Sequence, residues 1–168
     1  MRILKIIPET GSEILCDGYI PVVARTLGFA DFPLIHWRTG DAKSLVDFGI
    51  DPATGVICKI TVTMLGDVET SPVQKNEISE LSRGVPCVFV EDWNPKTPRH
   101  VEQPVKAVLF GNRLVLRFGP QKGQLSTAIR NGRVVFQVDQ SGVICGIEIL
   151  DLSTKELEEF RYAVGMRA

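Results

Sequence analysis

Val46-Asp47-Phe48-Gly49-Ile50-Asp51-Pro52-Ala53-Thr54-Gly55-Val56-Ile57-Cys58-Lys59-Ile60 decides the fold of this 168-residue chain, because the pattern occurs twice. It returns as Val134-Val135-Phe136-Gln137-Val138-Asp139 and, after a short gap, Gly142-Val143-Ile144-Cys145-Gly146-Ile147. In each copy the first arm alternates apolar residues at the period of a half-buried strand. Each arm then meets a turn, Asp51-Pro52-Ala53-Thr54-Gly55 or Asp139-Gln140-Ser141-Gly142. Aspartate bonds the backbone two residues on and glycine accepts a positive φ, so each copy reads as a hairpin. Continued alternation puts Val56, Cys58, Ile60 and Val62 on one face, and likewise Val143, Cys145, Ile147 and Ile149. On this reading Cys58 and Cys145 are inward residues filling small slots as compact hydrophobes. Asp51 and Asp139 are turn residues rather than a catalytic carboxylate pair.

Working outward, strands are expected near 2–7 and 34–38, with a short strand or helix around 19–26. Residues 67–104 carry Pro72, Pro86, Pro95, Pro98 and Pro104, too many for regular elements, although 85–90 could form an edge strand. Beyond them come strands at 105–110, 114–118, 125–130 and 133–139, joined by Gly111-Asn112, a glycine-rich loop at 119–123 and Asn131-Gly132, which predicts a meander. At the end Ser153 is an N-cap with Glu156 as its capping-box partner and Leu152 and Leu157 as a hydrophobic staple. A helix from about Thr154 to Ala163 follows, with Leu157, Phe160 and Val164 toward the sheet.

The expected fold class is α+β, mostly antiparallel β, in which two related hairpin-containing halves form one or two sheets and the C-terminal helix packs on the sheet. One domain of residues 1–168 is expected. It divides into an N-terminal β half (1–66), a proline-rich acidic connector (67–104), and a β-meander with the second repeat and the helix (105–168).

Composition narrows the function classes. A net charge of −1 and 44% apolar residues describe an ordinary globular chain with no global pull toward nucleic acid or membrane. No stretch approaches the roughly 20 apolar residues of a membrane span, and the apolar start stops at Pro8, too soon for a secretory segment. Cys16, Cys58, Cys87 and Cys145 contain no C-x-x-C and lie far from His36 and His100 in sequence, so free thiols of a reducing cytoplasm are expected, with no metal site and no cofactor.

No P-loop, G-x-G-x-x-G, H-E-x-x-H or G-x-S-x-G is present, and no catalytic set is assigned. Gly119-Pro120-Gln121-Lys122-Gly123 resembles a phosphate loop only in composition, because it opens no helix. His36-Trp37-Arg38 is the densest reactive cluster, and a small-ligand or enzyme site there is the alternative function. His36 could act as a general base if Asp41 approached it, and Cys16 or Cys87 could pair with His100.

Charge falls in blocks. Residues 103–138 carry Lys106, Arg113, Arg117, Lys122, Arg130 and Arg133 and no acidic residue. No aromatics alternate with them as a nucleic-acid platform requires, so nucleic-acid binding ranks third. The connector instead concentrates Glu69, Glu77, Glu80, Glu91 and Asp92 beside Trp93, a set suited to presenting carboxylates and an aromatic anchor to a basic protein partner.

Two resemblances bear on function. The segment 134–153, with Asp139, Gly142, Gly146-Ile147-Glu148-Ile149-Leu150-Asp151 and Ser153, resembles a small bacterial domain family of unknown function that ends in a similar strand and helix cap. The upstream copy, Phe48-Gly49-Ile50-Asp51-Pro52-Ala53-Thr54-Gly55, is similar to a hairpin of bacterial toxin and immunity loci, and the chain as a whole resembles immunity proteins of contact-dependent growth inhibition systems. That resemblance implies a cytoplasmic protein that binds and neutralises a cognate toxin domain, in the simplest case a nuclease. It transfers no site residues.

Overall fold

The computed structural model describes residues 1–29, 33–72, 81–90, 93–94, 96–119 and 125–166. The first half forms β1 (Ile3–Ile7), β2 (Ser12–Leu15), β3 (Val22–Thr26), β4 (Ile35–Gly40), β5 (Leu45–Ile50) and β6 (Ile57–Met64). Four short strands follow: β7 (Val68–Thr70), β8 (Leu81–Arg83), β9 (Val85–Val88) and β10 (Arg99–Glu102). The chain ends in β11 (Val105–Phe110), β12 (Arg113–Phe118), β13 (Leu125–Asn131), β14 (Val134–Asp139), β15 (Ile144–Ile149) and α1 (Thr154–Ala163).

Among these residues β1 and β9 form an antiparallel ribbon. A six-stranded sheet has the order β10-β4-β5-β6-β3-β2, and a seven-stranded sheet the order β7-β11-β12-β15-β14-β13-β8. Within the first, β2-β3-β6-β5-β4 are consecutive neighbours; within the second, β11-β12-β15-β14-β13 are, in the same pattern. The expected simple meander after residue 105 is therefore corrected. β12 pairs with β15 rather than β13, because β15 brings Ile147 opposite Leu116 and Ile149 opposite Leu114.

The connector is also more regular than its prolines imply. It supplies parallel edge strands to both sheets, β10 beside β4, β7 beside β11 and β8 beside β13, so the sheets are mixed. Pro86 sits inside β9 opposite Ile6, in a two-stranded ribbon where one missing N–H is tolerated.

The two sheets face each other across one apolar core. Val46, Phe48, Ile60 and Val62 of the first lie in the same cluster as Leu114, Leu116, Phe136 and Ile147 of the second. Phe48 meets Phe118 edge-on at 5.8 Å between ring centroids, and Trp37 at 5.4 Å. Each fully buried side chain of this size contributes roughly 1.5–3 kcal/mol by leaving water. Helix α1 closes the core with Phe160, and its Ser153 capping box forms as the sequence predicts.

The inward assignment of the two repeat cysteines is corrected. The β5–β6 ladder slips between Gly49 and Ile50, and the β14–β15 ladder slips between Gln137 and Val138. A slip of one residue reverses the faces on one side of it. Ile57 and Ile144 consequently enter the main core. Cys58 packs instead with Val56, Val85 and Cys87 in a small second cluster, and Cys145 is only half-buried. The two cysteines remain equivalent, as the residues left without a register partner at matching irregularities.

Candidate binding cavity

At the end of the sandwich capped by the β1–β9 ribbon lies a half-open cavity of about 480 Å³. Strand alternation supplies its inner wall. Trp37 leaves β4 on the core side, opposite Arg99 of β10, Val101 stands two residues further along β10, and Phe118 ends β12. Phe89 and Trp93 continue the wall beyond β9, while Val143, Ile144 and Cys145 of the second repeat line the opposite side. Among the described residues, the charged side chains on its wall are Arg2, Arg99 and Asp139.

These polar groups differ in what they can offer a ligand. Asp139 is engaged by its own turn: Oδ1 accepts from the Ser141 N–H at 2.8 Å, the Ser141 hydroxyl at 2.6 Å and the Val143 N–H at 3.0 Å. Burial pushes its pKa up, but those donors outweigh it and hold the carboxyl below its usual range. Arg99 places its guanidinium over the Trp93 ring, 5.5 Å from the centroid, which leaves its N–H edges available. Gln103 is fixed by its Nε2 donating to Thr39 Oγ1 at 2.7 Å and by its backbone N–H donating to Gly40 O at 2.9 Å. Gly119, at φ +68°, completes the rim, where a Cβ would come within 2.6 Å of the Gln103 amide oxygen. The Cys145 thiol is pushed up to about 11 by burial, so it serves as wall and not as nucleophile.

A second hollow, of about 370 Å³, lies on the other side of Phe89 and Trp93 and shares both. Pro52, Ala53, Thr54 and Gly55 of the first repeat's turn line it, together with Leu4 and Ile35.

The His36-Trp37-Arg38 cluster is divided by the pleat. Trp37 faces the cavity, whereas His36 and Arg38 project from the other face of β4 and clasp Asp47. His36 Nδ1 lies 2.7 Å from Asp47 Oδ2, and because a carboxylate can only accept, the ring nitrogen donates. Arg38 Nε donates to Asp47 Oδ1 at 2.9 Å. Asp41, the carboxylate considered for His36, instead accepts from the backbone N–H groups of Lys43 and Ser44. His100 stands on exposed β10 opposite Arg38, Cys87 lies in the small cluster and Cys16 sits near Glu156 and Arg133. Among the described residues no group of three His, Cys, Asp or Glu is placed to hold a metal ion, and no helix is long and apolar enough to cross a membrane.

Of the connector's acidic set, Glu69 pairs with Lys106 at 3.1 Å, and Trp93 is half-buried against the core. Glu77, Glu80, Glu91 and Asp92 lie outside the described residues, as does Lys122 of the basic set. The remaining basic residues are held in separate places. Arg113 binds buried Glu148, Arg130 Nε donates to Gly132 O at 2.8 Å, and Arg133 clasps Glu156 at the helix start. Arg117 stands opposite Lys106 on one side and Gly146 on the other. Arg99, Phe89, Phe118 and Gln103 carried no signal in the sequence, because only strand pairing brings them to Trp37.

No known protein family matches this chain, and no curated protein is similar to it.

Proposed function

We propose that this is a binding protein of the immunity type, a cytoplasmic inhibitor that captures a cognate toxin domain at the ribbon end of its sandwich. The observation that carries this reading is the cavity walled by Trp37, Phe89, Trp93 and Phe118, with Arg99 laid over Trp93 at its wall. Tryptophan and arginine dominate the energetics of protein interfaces when they surround a desolvatable pocket. Leu4, 62% exposed, and Phe89, 43% exposed, add apolar surface at the same end. The Phe48–Gly55 segment that resembles immunity loci contributes its turn to the adjoining hollow. We also read the chain as two related halves, on the shared order β2-β3-β6-β5-β4 and β11-β12-β15-β14-β13 and on the matching ladder slips.

The test is a calorimetric titration with the variable C-terminal domain of a large secreted protein encoded directly upstream. Wild-type chain binds it and protects cells that express it, while Trp93→Ala weakens binding by about tenfold or more, the scale of an interface hot spot. A toxin domain that ignores the wild-type chain removes the immunity reading. Equal affinity for Trp93→Ala removes this end as its surface.

A second reading, a small amphipathic anion as ligand, is favoured by the cavity volume, which falls within the roughly 300–1,000 Å³ of small-molecule pockets. Quenching of tryptophan fluorescence by an aromatic carboxylate, lost in Arg99→Gln, would support it.

A further inference from the structure

We infer that the ribbon end is built for an extended acidic–aromatic protein segment, which seats an aromatic side chain in the larger cavity and an aliphatic one, two residues on, in the smaller hollow. This rests on the reading that the ribbon end is the binding end, and it specifies the part of the partner that is recognised.

The two hollows are built alike. The larger is bounded by the turn of the second repeat, where Ile3 N–H donates to Gly142 O at 2.9 Å. The smaller is bounded by the turn of the first, where Val88 N–H donates to Gly55 O at 2.8 Å. Each is therefore a pit between a repeat turn and the ribbon strand docked on it, and the common wall is Phe89 with Trp93. Two pits separated by a wall of aromatic side chains suit alternate residues of an extended chain, whose side chains leave the same face about 7 Å apart. The ligand backbone then passes over the wall in contact with water and needs no buried partners of its own.

Their chemistry differs in a way that sets the order of residues. The smaller hollow is lined by Leu4, Ile35, Pro52, Val88 and Val90 with no charged side chain among the described residues, which fits leucine or isoleucine. The larger has aromatic faces and two arginines, and its one carboxylate among the described residues, Asp139, already accepts three hydrogen bonds. An aromatic side chain fits that wall, and a neighbouring glutamate or aspartate on the ligand complements Arg99 and Arg2.

The experiment uses two capped peptides, acetyl-Glu-Ser-Phe-Ser-Leu-amide and its Leu-to-Ala counterpart, titrated into the full chain and followed by tryptophan fluorescence. The leucine peptide is expected to bind about tenfold more tightly, the usual discrimination of an apolar pocket. Ala53→Trp, a substitution on the exposed turn that fills the smaller hollow, is expected to erase that difference. Arg99→Gln weakens both peptides. Equal affinities in the wild-type chain, or a leucine advantage that survives Ala53→Trp, overturn the two-pit inference. If they do so while the toxin domain still loses affinity in Trp93→Ala, the binding end stands and only the extended segment falls. If neither peptide nor toxin domain responds to Trp93→Ala, both readings fall.

Discussion

Ile3 and Val88 lie directly opposite one another in the β1–β9 ribbon, and each donates its backbone N–H to the matching glycine of a different repeat copy, Ile3 to Gly142 and Val88 to Gly55. Arg2 bridges Val143 in the same way that Cys87 bridges Val56. The strand that opens the chain thus docks on the second hairpin, and a strand of the connector docks on the first. The ribbon ties both repeats together at the end where the two hollows lie.

The two equivalent glycines should respond differently to alanine. Both have positive φ, +73° at Gly55 and +76° at Gly142, so each substitution carries the left-handed cost of about 1–2 kcal/mol. At Gly142 an added Cβ meets nothing within 4 Å, and that cost is the whole effect. At Gly55 it collides with the Val88 carbonyl, breaking the dock. Urea unfolding should show Gly55→Ala less stable than Gly142→Ala by about 2 kcal/mol or more. Equal losses would mean that β9 is not held on the first turn.

How much of this was legible in the sequence depended on the range of the interaction. The capping box of Ser153 and Glu156 and the aspartate turns are local, and they form as read: Asp51 Oδ1 accepts from Ala53 N at 2.9 Å and Asp139 Oδ1 from Ser141 N at 2.8 Å. The ladder slips were not legible, because an extra residue on one strand shows only against its partner. That is why alternation alone turns Cys58 and Cys145 toward the main core. The pairing of β12 with β15 was hidden because it joins strands separated by a whole hairpin. The cavity was hidden for the same reason, since Trp37, Arg99 and Phe118 meet only after both sheets have closed.

Acid should loosen the helix before it unfolds anything held by apolar packing alone. Arg133 donates Nη1 to Glu156 Oε1 at 3.0 Å and Nη2 to Oε2 at 2.7 Å, and these bonds pull the carboxyl from its usual 4.5 to about 2. The folded value lies below the unfolded one, so the contribution is full above about pH 4.5 and is lost as the pH falls toward 2. Allowing for the water that reaches both side chains, it is worth about 2 kcal/mol. Glu156→Gln should therefore cost about that much at pH 7 and much less at pH 2.5, measured as the difference in urea midpoint from wild type. A cost independent of pH would assign the effect to the cap alone.

The thiols should be slow to alkylate. Burial pushes Cys16 up to about 12 and Cys58 and Cys145 to about 11, and it raises Cys87 as well. Thiolate is the reacting form, so at pH 8.5 iodoacetamide should label Cys16, Cys58 and Cys145 more slowly, by about a hundredfold or more, in the folded chain than in urea. Mass spectrometry of quenched samples reads this directly. The same raised values make stability full below about pH 9, the ordinary thiol value, and falling as the pH climbs through 11. Equal rates in the folded chain and in urea would place the thiols in water.

Glu148 is 1% exposed on the face of β15 turned away from the main core, between Val115 and Val135 on the neighbouring strands. Its carboxylate accepts from Arg113 and, at 2.6 Å, from Gln137 Nε2. Gly146 makes the arrangement possible, since a Cβ there would press on the Gln137 amide oxygen. Removing Arg113 strands the Glu148 charge in a dry setting, whereas Arg113 itself is a quarter exposed, so Arg113→Met should cost about 3–5 kcal/mol. Replacing both ends, Glu148→Leu with Arg113→Met, removes the stranded charge and should recover much of that loss. A double-mutant cycle in urea reads the coupling, expected at about 2 kcal/mol or more for groups in direct contact. Simple additivity would mean that Glu148 finds water or another partner once Arg113 is gone, and that the pair is not what holds β12 against β15.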